Sequence, residues 1–393
     1  MEHDFDFDTP VERRGSNCAK WDDTPAGVLP MWVADMDFKA APCILDALRR
    51  RVEHGVFGYT HVPEAYYDAV VDWFVRRHGW LIDPASIIYT SGVVPAVSAI
   101  IKAMTQPGDG VIVQTPVYNC FFSSIRNNGC HVLSAPLVYS PEGYSIDFDA
   151  FECIASRPDA KVLLLCNPHN PAGRVWTRAE LQRMADICLR HDVFVISDEI
   201  HCELTYAGHD YTPYNTLGDV YARRAAVCVS PSKAFNIAGL QIANIVAVDA
   251  KVRAAIDRTI NINEVCDVNP FGVEALIAAY NQGSDWLDAL RSYLYANYGL
   301  VRDFFAENLA DYPVTPLEGT YLVWIDCRAA GVRSDVLAQK LIASEHLRLS
   351  PGTIYGDGGE HFLRLNIACP RSRVADALDR LWRFLGAVQV QNK

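Results

Sequence analysis

The chain has 393 residues, more than one hydrophobic core usually organises, so its length predicts two domains. Hydrophobic residues make up 50% of the chain and charged residues 21%, which is ordinary for a globular protein and excludes a disordered or fibrous class. The chain has 35 Lys and Arg residues and 47 Asp and Glu residues, so its formal net charge is −12. This acidity argues against a nucleic-acid partner.

The N-terminal residues, MEHDFDFDTP, are acidic and polar, unlike a secretory or transit signal. No apolar run approaches the ~20 residues needed to span a bilayer, so no membrane partner is expected. The twelve cysteines include no C-x-x-C pair and fall mostly inside apolar runs, which indicates small buried side chains rather than a zinc or redox site. Together these features predict a cytoplasmic protein without a metal site.

Three regions follow one another along the chain. Residues 1–45 are rich in Pro, Trp and Asp, and we expect an extended segment that joins the smaller domain. Residues 46–270 alternate apolar runs with helix-period stretches, which predicts an α/β domain with a mostly parallel sheet sandwiched by helices. The predicted strands are 110–114, 161–166, 193–197, 225–229 and 242–248, and the predicted helices include 94–104 and 177–191.

Beyond residue 270 the strand–helix alternation stops. A long helical stretch is predicted at 272–309, and the shorter segments 320–326, 334–344 and 361–368 come after it. This pattern predicts a smaller α+β domain over residues 271–393.

Polar loops follow the predicted strands. Ligands of open α/β sheets lie outside the carboxyl ends of the strands, so these loops are the natural place for a site. The loops are NPHNPAG at 167–173, SDEIH at 197–201, SPSKAFNIAGL at 230–240, and TSGV at 90–93 before the first predicted helix. An amide, an acid, an amine, hydroxyl groups and a helix N-terminus are therefore expected at one edge of one sheet.

Lys233 and Asp198 each allow a structural and a chemical interpretation. Lys233 is one of only eight lysines, and in a Ser-Pro-Ser turn it could simply be solvated. Apolar walls and neighbouring cations can instead lower its pKa, so that the amine forms an imine with an aldehyde. Asp198 could cap the segment that comes after its strand, or could be the counter-charge of a buried heterocyclic nitrogen.

The same two interpretations exist for the remaining groups. Asn170 could cap the turn at Pro171 or donate to a phenolate oxygen. Ser91, Gly92 and Val93 could be loop residues or the phosphate site of a helix N-terminus. An aldehyde-accepting lysine, an acid facing a pyridine nitrogen, a donor to a phenolate and a phosphate site are jointly what pyridoxal 5′-phosphate (PLP) requires.

The sequence also resembles a known family. The segments 167–173, 197–201 and 230–240 resemble the signature blocks of fold-type I PLP enzymes, the aspartate aminotransferase superfamily. More narrowly, KWD at 20–22, LPMWVADMDF at 29–38, GYT at 58–60 and EGTYLVWIDCR at 318–328 are similar to the MalY/PatB type of cystathionine β-lyase. The resemblance implies a seven-stranded, mostly parallel sheet in the large domain, a small domain formed by both termini, PLP as cofactor, and a homodimer.

Carried over by position, the resemblance assigns roles to individual residues. Lys233 would be the Schiff-base lysine and proton shuttle, Asp198 would pair with the pyridinium nitrogen, and Asn170 would bond the 3′-oxygen with His201 close by. Much of the superfamily has a tyrosine at the His201 position. Tyr118, which could also be a core aromatic, would stack on the ring. The phosphate would be surrounded by Ser91, Gly92, Val93, Ser230 and Ser232.

The resemblance extends to the partner subunit and the substrate. Tyr59 would reach the phosphate of the neighbouring subunit, so that the active site is shared within the dimer. Arg364, alternatively an exposed strand arginine, resembles the arginine that binds the substrate α-carboxylate, and a planar guanidinium suits that task. Trp32 and Ala34, with Asn170, are expected on the substrate side of the site.

Gln241 departs from the wider superfamily. It stands eight residues after Lys233, where many relatives carry an arginine that clamps the phosphate. A neutral amide lacks the charge-assisted bidentate contact, so a weaker hold on PLP is expected.

The resemblance also implies the reaction. The hypothesis is a C–S β-lyase that cleaves L-cystathionine or related cysteine S-conjugates into a thiol, pyruvate and ammonia. An aminotransferase on the same scaffold is the main alternative, because the predicted site labilises an α-proton without fixing the next chemical step. Some relatives also bind a transcription activator, so an additional regulatory, protein-binding role stays open.

Overall fold

The computed structural model describes residues 5–392, with side chains through residue 388. The strands are Leu29–Pro30 (β1), Ile87–Thr90 (β2), Gly110–Val113 (β3), His131–Ser134 (β4), Leu137–Ser140 (β5), Gly143–Ile146 (β6), Ala160–Cys166 (β7), Phe194–Asp198 (β8), Ala225–Val229 (β9), Ala243–Val246 (β10), Leu322–Asp326 (β11), Leu347–Arg348 (β12), Ser350–Pro351 (β13) and Phe362–Asn366 (β14). The helices are Ala19–Asp22 (α1), Pro42–His54 (α2), Glu64–His78 (α3), Val93–Met104 (α4), Cys120–Asn127 (α5), Phe148–Ala155 (α6), Arg178–Arg190 (α7), Asp219–Ala222 (α8), Ala250–Ile262 (α9), Pro270–Gln282 (α10), Ser284–Asn308 (α11), Ser334–Glu345 (α12) and Arg371–Asn392 (α13).

A seven-stranded sheet forms the centre of the molecule, in the order β2-β10-β9-β8-β7-β3-β4. Its neighbouring strands are parallel except where β10 meets β2 and β9, which it pairs in antiparallel fashion. The predicted α/β fold with a mostly parallel seven-stranded sheet is confirmed.

Both faces of this sheet are buried. Along β7, Leu163 and Leu165 join one apolar cluster, whereas Val162 and Leu164 join a second cluster. Residues of α2, α3, α7 and α10 belong to the first cluster, and residues of α4, α5 and α9 to the second. Because each fully buried Leu or Val contributes roughly 1.5–3 kcal/mol, a strand apolar on both sides is held firmly between the two helix layers.

A second, antiparallel sheet has the order β11-β14-β13. Helix α12 packs against β13 and β14, and α13 packs against α11 and α12. The N-terminal segment reaches this region, since β1 pairs in parallel with β12 and Leu29 lies opposite Leu347. Among the described residues, no helix combines the length and the apolar character that crossing a membrane requires.

The helical stretch predicted at 272–309 is not continuous. It consists of α10 and α11, which Gly283 separates. A Cβ atom at Gly283 would lie 2.4 Å from Cε1 of Phe235 and 2.5 Å from the Ala279 carbonyl oxygen. The break therefore occurs where the chain passes too close to a buried aromatic ring for any other residue, a long-range contact that a helical period does not reveal.

Candidate active site

A cavity of about 280 Å³ opens at the carboxyl ends of the central strands. It lies where the loops after β2, β7, β8 and β9 meet, which is where α/β sheets bind ligands. The lining residues are Ala34, Ser91, Gly92, Val93, Val94, Pro95, Tyr118, Cys166, Asn170, Asp198, Ile200, His201, Ser232, Lys233, Ala238, Gln241 and Ile242.

Asp198 supplies the carboxylate of the cavity. It ends β8 between Cys166 of β7 and Cys228 of β9, and its side chain is buried. Burial raises the pKa of Asp198 to about 7, although the Ile200 N–H, 3.1 Å from Oδ1, and the charge of Lys233 act in the opposite direction. A carboxylate in this setting is stabilised by a cationic ligand group.

Lys233 supplies the amine. Its Nζ donates to the backbone carbonyl of Ala34 at 2.6 Å. Burial, assisted by the positive charge of Arg364, lowers the pKa of Lys233 to about 8, while Asp35 and Asp198 oppose the shift. The amine is therefore neutral, and nucleophilic, at a lower pH than an ordinary lysine.

The turn that carries Lys233 is built by two serines. The Ser230 hydroxyl donates to the Ile242 carbonyl at 2.6 Å and lies 2.9 Å from the Ser232 hydroxyl. Ser232 faces the cavity, but Ser230 is buried beneath it and does not line the wall. The structure thus places Ser230 behind the predicted phosphate site rather than at its surface.

The N-terminus of α4 forms another wall. Gly92 precedes this helix with φ 150°, a value that favours glycine, and no side chain caps the helix. The first intrahelical bond runs from the Ala96 N–H to the Gly92 carbonyl, so the N–H groups of Val93 and Val94 have no acceptor within the helix. Exposed amide donors at a helix N-terminus suit a phosphate group.

Asn170, His201 and Tyr118 enclose the space between these groups. Asn170 is buried, and its Oδ1 accepts from Nη1 of Arg364 at 3.1 Å. His201 is buried and its Nδ1 has no hydrogen-bond partner; burial, with Lys233 and then Arg364, lowers its pKa to about 3, so the ring is neutral. Burial also raises the pKa of Tyr118 well above its ordinary value, so its hydroxyl stays protonated.

Arg364 lies in the middle of β14, opposite Trp324 of β11 and Ser350 of β13. It is 5% exposed, which rules out the alternative of a solvated strand arginine. Its Nη2 donates to the Trp32 carbonyl at 2.8 Å, and its Nε is buried without a partner. The unpartnered Nε of this buried guanidinium can donate a hydrogen bond to the carboxylate of a bound ligand.

The sequence profile described as "Aminotransferase class I and II" matches residues 28–381. The chain belongs to this family.

Within the aminotransferase class I and II family, the chain is 42% identical over 382 residues to "Cystathionine beta-lyase PatB" of Bacillus subtilis, covering 96% of this chain and 99% of that protein. It is 36% identical over 398 residues to "Protein MalY" of Escherichia coli, covering 98% and 100%. Cystalysin from Treponema denticola, a structure that contains pyridoxal 5′-phosphate, has a TM-score of 0.95 and 35% identity and covers 98% of this chain and 99% of its own. The resemblance to the MalY/PatB type is confirmed.

The groups of this site fit the cofactor bound by that relative. An aldehyde matches the Lys233 amine, and a pyridine nitrogen matches the buried Asp198 carboxylate. Neutral His201, with its orphaned Nδ1, and the Asn170 amide offer hydrogen bonds to a ring oxygen. The uncapped start of α4 and the Ser232 hydroxyl offer donors to a phosphate.

Five predicted residues lie outside the cavity wall of this single chain or meet it through the backbone: Ser230 and Arg364, described above, and Tyr59, Trp32 and Ala34. Tyr59 is fully exposed, at 101%. The Trp32 ring packs beneath Arg348, whose Cζ lies 3.9 Å from the ring centroid, so Trp32 meets the site through its carbonyl group. Ala34 lines the cavity and likewise acts through its carbonyl, which accepts the bond from Lys233.

Sequence reasoning did not single out Tyr321. Its hydroxyl donates to the Ala34 carbonyl at 3.0 Å, and its ring stands edge-on to His201 with 6.0 Å between centroids. Tyr321 directly precedes β11, the strand that pairs with the strand of Arg364. Tyr321 lies within the segment 318–328 that carries the family resemblance, but the resemblance gave it no role, and the strand pairing is what brings it to the site.

Proposed function

We propose that this protein is a PLP-dependent carbon–sulfur β-lyase. Its substrates would be L-cystathionine or related cysteine S-conjugates, and its products a thiol such as homocysteine, pyruvate and ammonia. The observation that carries the proposal is one buried cavity that holds the Lys233 amine and the Asp198 carboxylate, in a chain 42% identical to a protein named cystathionine β-lyase. The cofactor, when bound, supplies the electron sink that stabilises negative charge at the substrate α-carbon.

In this proposal Lys233 and Asp198 have separate tasks. Lys233 would hold the aldehyde of the cofactor through its amine, and the same amine, when free, would take up the substrate α-proton. A lysine with a pKa near 8 can do so close to neutral pH. Asp198 would favour the protonated ring nitrogen of the cofactor, because a buried carboxylate is stabilised by a neighbouring cation.

Arg364 would bind the substrate α-carboxylate, and Asn170 would orient the guanidinium of Arg364. The buried guanidinium has an unpartnered Nε and is already held by the Trp32 carbonyl and Asn170. Tyr118 remains protonated, because burial raises the pKa of its hydroxyl, and it would pack against the cofactor ring. The step that distinguishes a lyase from an aminotransferase is the loss of a thiolate from the β-carbon of the substrate.

We propose that the active enzyme is a homodimer in which Tyr59 reaches the partner's phosphate site. The segment between α2 and α3 supports this assembly: Val56 is 64% exposed, Phe57 53% and Tyr59 101%. Three large apolar side chains exposed within four residues indicate a protein contact rather than a solvated loop. A C₂ dimer would bury both copies of the segment at once.

The domain division and the cellular location belong to the proposal as well. Residues 46–270 would be the PLP-binding domain, residues 271–393 the small domain, and residues 1–45 the segment that joins it. The pairing of Leu29 with Leu347 supports that joining. All twelve cysteines are free thiols, which supports a reducing, cytoplasmic location.

The decisive experiment is an assay of the purified protein with L-cystathionine and a panel of cysteine S-conjugates. Equal release of pyruvate and free thiol is expected. Turnover that instead requires a 2-oxoacid acceptor and releases no pyruvate would identify an aminotransferase. Borohydride should bleach the visible imine band and label Lys233. A Lys233→Ala variant should lose all turnover, while a separate protein-binding role, if the protein has one, should remain.

A further inference from the structure

Residues 32–38, here called the strap, cross between the two sheets beside the cavity. Most backbone carbonyl groups of this segment accept hydrogen bonds from side chains, among them Arg13, which donates to the Met36 carbonyl at 3.0 Å. Some donors come from β14 and its neighbours in the three-stranded sheet, and others from the loop of Lys233 that comes after β9.

On the side of the three-stranded sheet, Asn366 is the main clamp. Its Nδ2 donates to the carbonyls of Val33 and Asp35 at 2.5 and 2.6 Å, and its Oδ1 accepts from the Ala368 N–H at 2.8 Å. Asn366 stands two residues after Arg364, which holds the Trp32 carbonyl at 2.8 Å. Arg364 and Asn366, both on β14, therefore donate hydrogen bonds to the same stretch of backbone.

On the other side, Asn236 is the matching clamp. Its Oδ1 accepts from the Met36 N–H at 3.0 Å, and its Nδ2 donates to the carbonyls of Met36 and Phe38 at 3.0 and 2.9 Å. Asn236 stands three residues after Lys233, whose Nζ donates to the Ala34 carbonyl between the two clamps.

A charge cluster holds the far side of the strap. Asp37 is buried and lies 3.2 Å from Lys20, 2.7 Å from Arg13 and 3.1 Å from Arg373, while Asp35 lies 2.8 Å from Arg13. A buried carboxylate with three cationic partners resists displacement. The strap is thus fixed from behind. At Ala34 its carbonyl accepts from the Tyr321 hydroxyl at 3.0 Å as well as from Lys233, and the two asparagines hold the neighbouring backbone groups.

We propose that Asn366 and Asn236 are positioning residues that help to hold the Ala34 carbonyl where it accepts the hydrogen bond of the Lys233 amine. The side chains of Arg364 and Lys233 would then both be positioned by hydrogen bonds to the strap. The inference rests on the proposed function for the roles of Arg364 and Lys233. Neither asparagine lines the cavity, so each acts only through the strap.

The consequence is a dependence of Lys233 on residues that do not touch it. A carbonyl oxygen binds an ammonium group more strongly than a neutral amine, because the bond to the charged donor is charge-assisted. Displacing the strap removes that bond and also moves Asp35, a negative charge, away from the amine. Both effects favour the neutral amine. The other groups that face Lys233 lie on elements outside the strap; they are Asp198, Arg364, Cys120, neutral His201, and Tyr321, whose hydroxyl shares the Ala34 carbonyl.

The test measures imine formation between added PLP and the full-length protein freed of cofactor, monitored by absorbance as a function of pH. The wild-type midpoint is expected near pH 8. Asn366→Ala should lower that midpoint by about half a pH unit or more. Asn236→Gly should do the same from the opposite side, and glycine suits this position because Asn236 has φ 55°.

Asn297→Ala is the matched control. Asn297 is also buried, and its Nδ2 donates to two carbonyls, those of Ile367 and Cys369 at 3.1 and 3.0 Å, but it does not contact the strap. Its midpoint should equal that of the wild type. A midpoint that rises in the Asn366 or Asn236 variant would mean that water has entered the space around Lys233. An unchanged midpoint would mean that the strap does not affect the pKa of the Lys233 amine. Either result overturns the proposal.

The outcome is separable from that of the proposed function. Imine formation needs no β-elimination, so a protein that forms the imine but releases no pyruvate refutes the lyase and leaves the pH comparison valid. Normal pyruvate release with identical midpoints in all variants refutes the strap alone. Should one asparagine variant fail to fold, the other, from the opposite side, gives the same comparison. A wild-type protein that forms no imine refutes both.

Discussion

Arg364 donates from Nη1 to Oδ1 of Asn170 at 3.1 Å and so joins the three-stranded sheet to the loop after β7. The bond also orients the amide: because Oδ1 faces the arginine, Nδ2 is the atom left to donate into the cavity. One hydrogen bond thus couples the group proposed to bind substrate to the group proposed to bind the cofactor oxygen.

Replacing Arg364 with lysine should raise KM strongly. An ammonium group cannot hold the Trp32 carbonyl, Asn170 and a carboxylate in one plane, so KM for the amino-acid substrate should rise about 10- to 100-fold. Steady-state kinetics of pyruvate release measure the effect. Arg328→Lys is the control, since Arg328 is an exposed arginine paired with Asp326 on the same sheet, and an equal rise there would contradict the assignment.

Replacing Asp198 with asparagine should stabilise the cofactor-free protein in a pH-dependent way. The folded pKa of about 7 exceeds the ordinary 3.8, so the stability linked to this acid is complete below pH ~4 and is lost as pH rises through 7. The variant lacks this loss and should therefore gain on the order of 4 kcal/mol at pH 8 and almost nothing near pH 4.

Urea unfolding of the cofactor-free protein at both pH values provides the measurement. With PLP present the order should reverse, because the variant no longer offers a negative charge to the ring nitrogen and should bind the cofactor more weakly. A variant that is less stable than the wild type at pH 8 without cofactor would show that Asp198 is satisfied by the protein itself.

The sequence predicted the centre of the fold better than its edges, for physical reasons. β9 was predicted with its observed bounds, because a strand buried on both faces is a continuous apolar run. β4 was not predicted, since it is an edge strand whose first residue, His131, is exposed. The direction of β10 and the break at Gly283 depend on neighbours distant in sequence.

The candidate site divides in the same way. Lys233, Asp198 and Asn170 could be predicted because each lies at the end of a recognisable strand, and the carboxyl ends of parallel strands converge. Tyr321 and Asn366 could not, because their roles are side-chain bonds to backbone carbonyls almost 300 residues or more away along the chain. Such bonds leave no local pattern in the residues that accept them.

Replacing Gln241 with arginine should tighten PLP binding. Gln241 lines the cavity in a left-handed conformation, φ 51°, which arginine adopts as readily as glutamine. A guanidinium would add a charge-assisted bond to the phosphate, so the Kd for PLP should fall about tenfold. Fluorescence titration of the cofactor-free protein tests this. The Gln241→Met variant adds no charge and should not tighten binding; a Kd unchanged in the arginine variant would place the phosphate elsewhere.

Mixing two inactive variants tests whether Tyr59 acts across the dimer. Tyr59→Ala and Lys233→Ala should each be inactive as homodimers, the first because the phosphate loses a partner donor and the second because the amine is missing. In a mixed dimer one site combines the intact Lys233 of one subunit with the intact Tyr59 of the other. Random re-association should therefore restore about a quarter of wild-type activity, because half of the C₂ dimers are mixed and each has one complete site. Activity that stays at the sum of the two homodimers would mean that Tyr59 and Lys233 act in the site of the same subunit. The exposed segment at residues 55–63 would then need another partner.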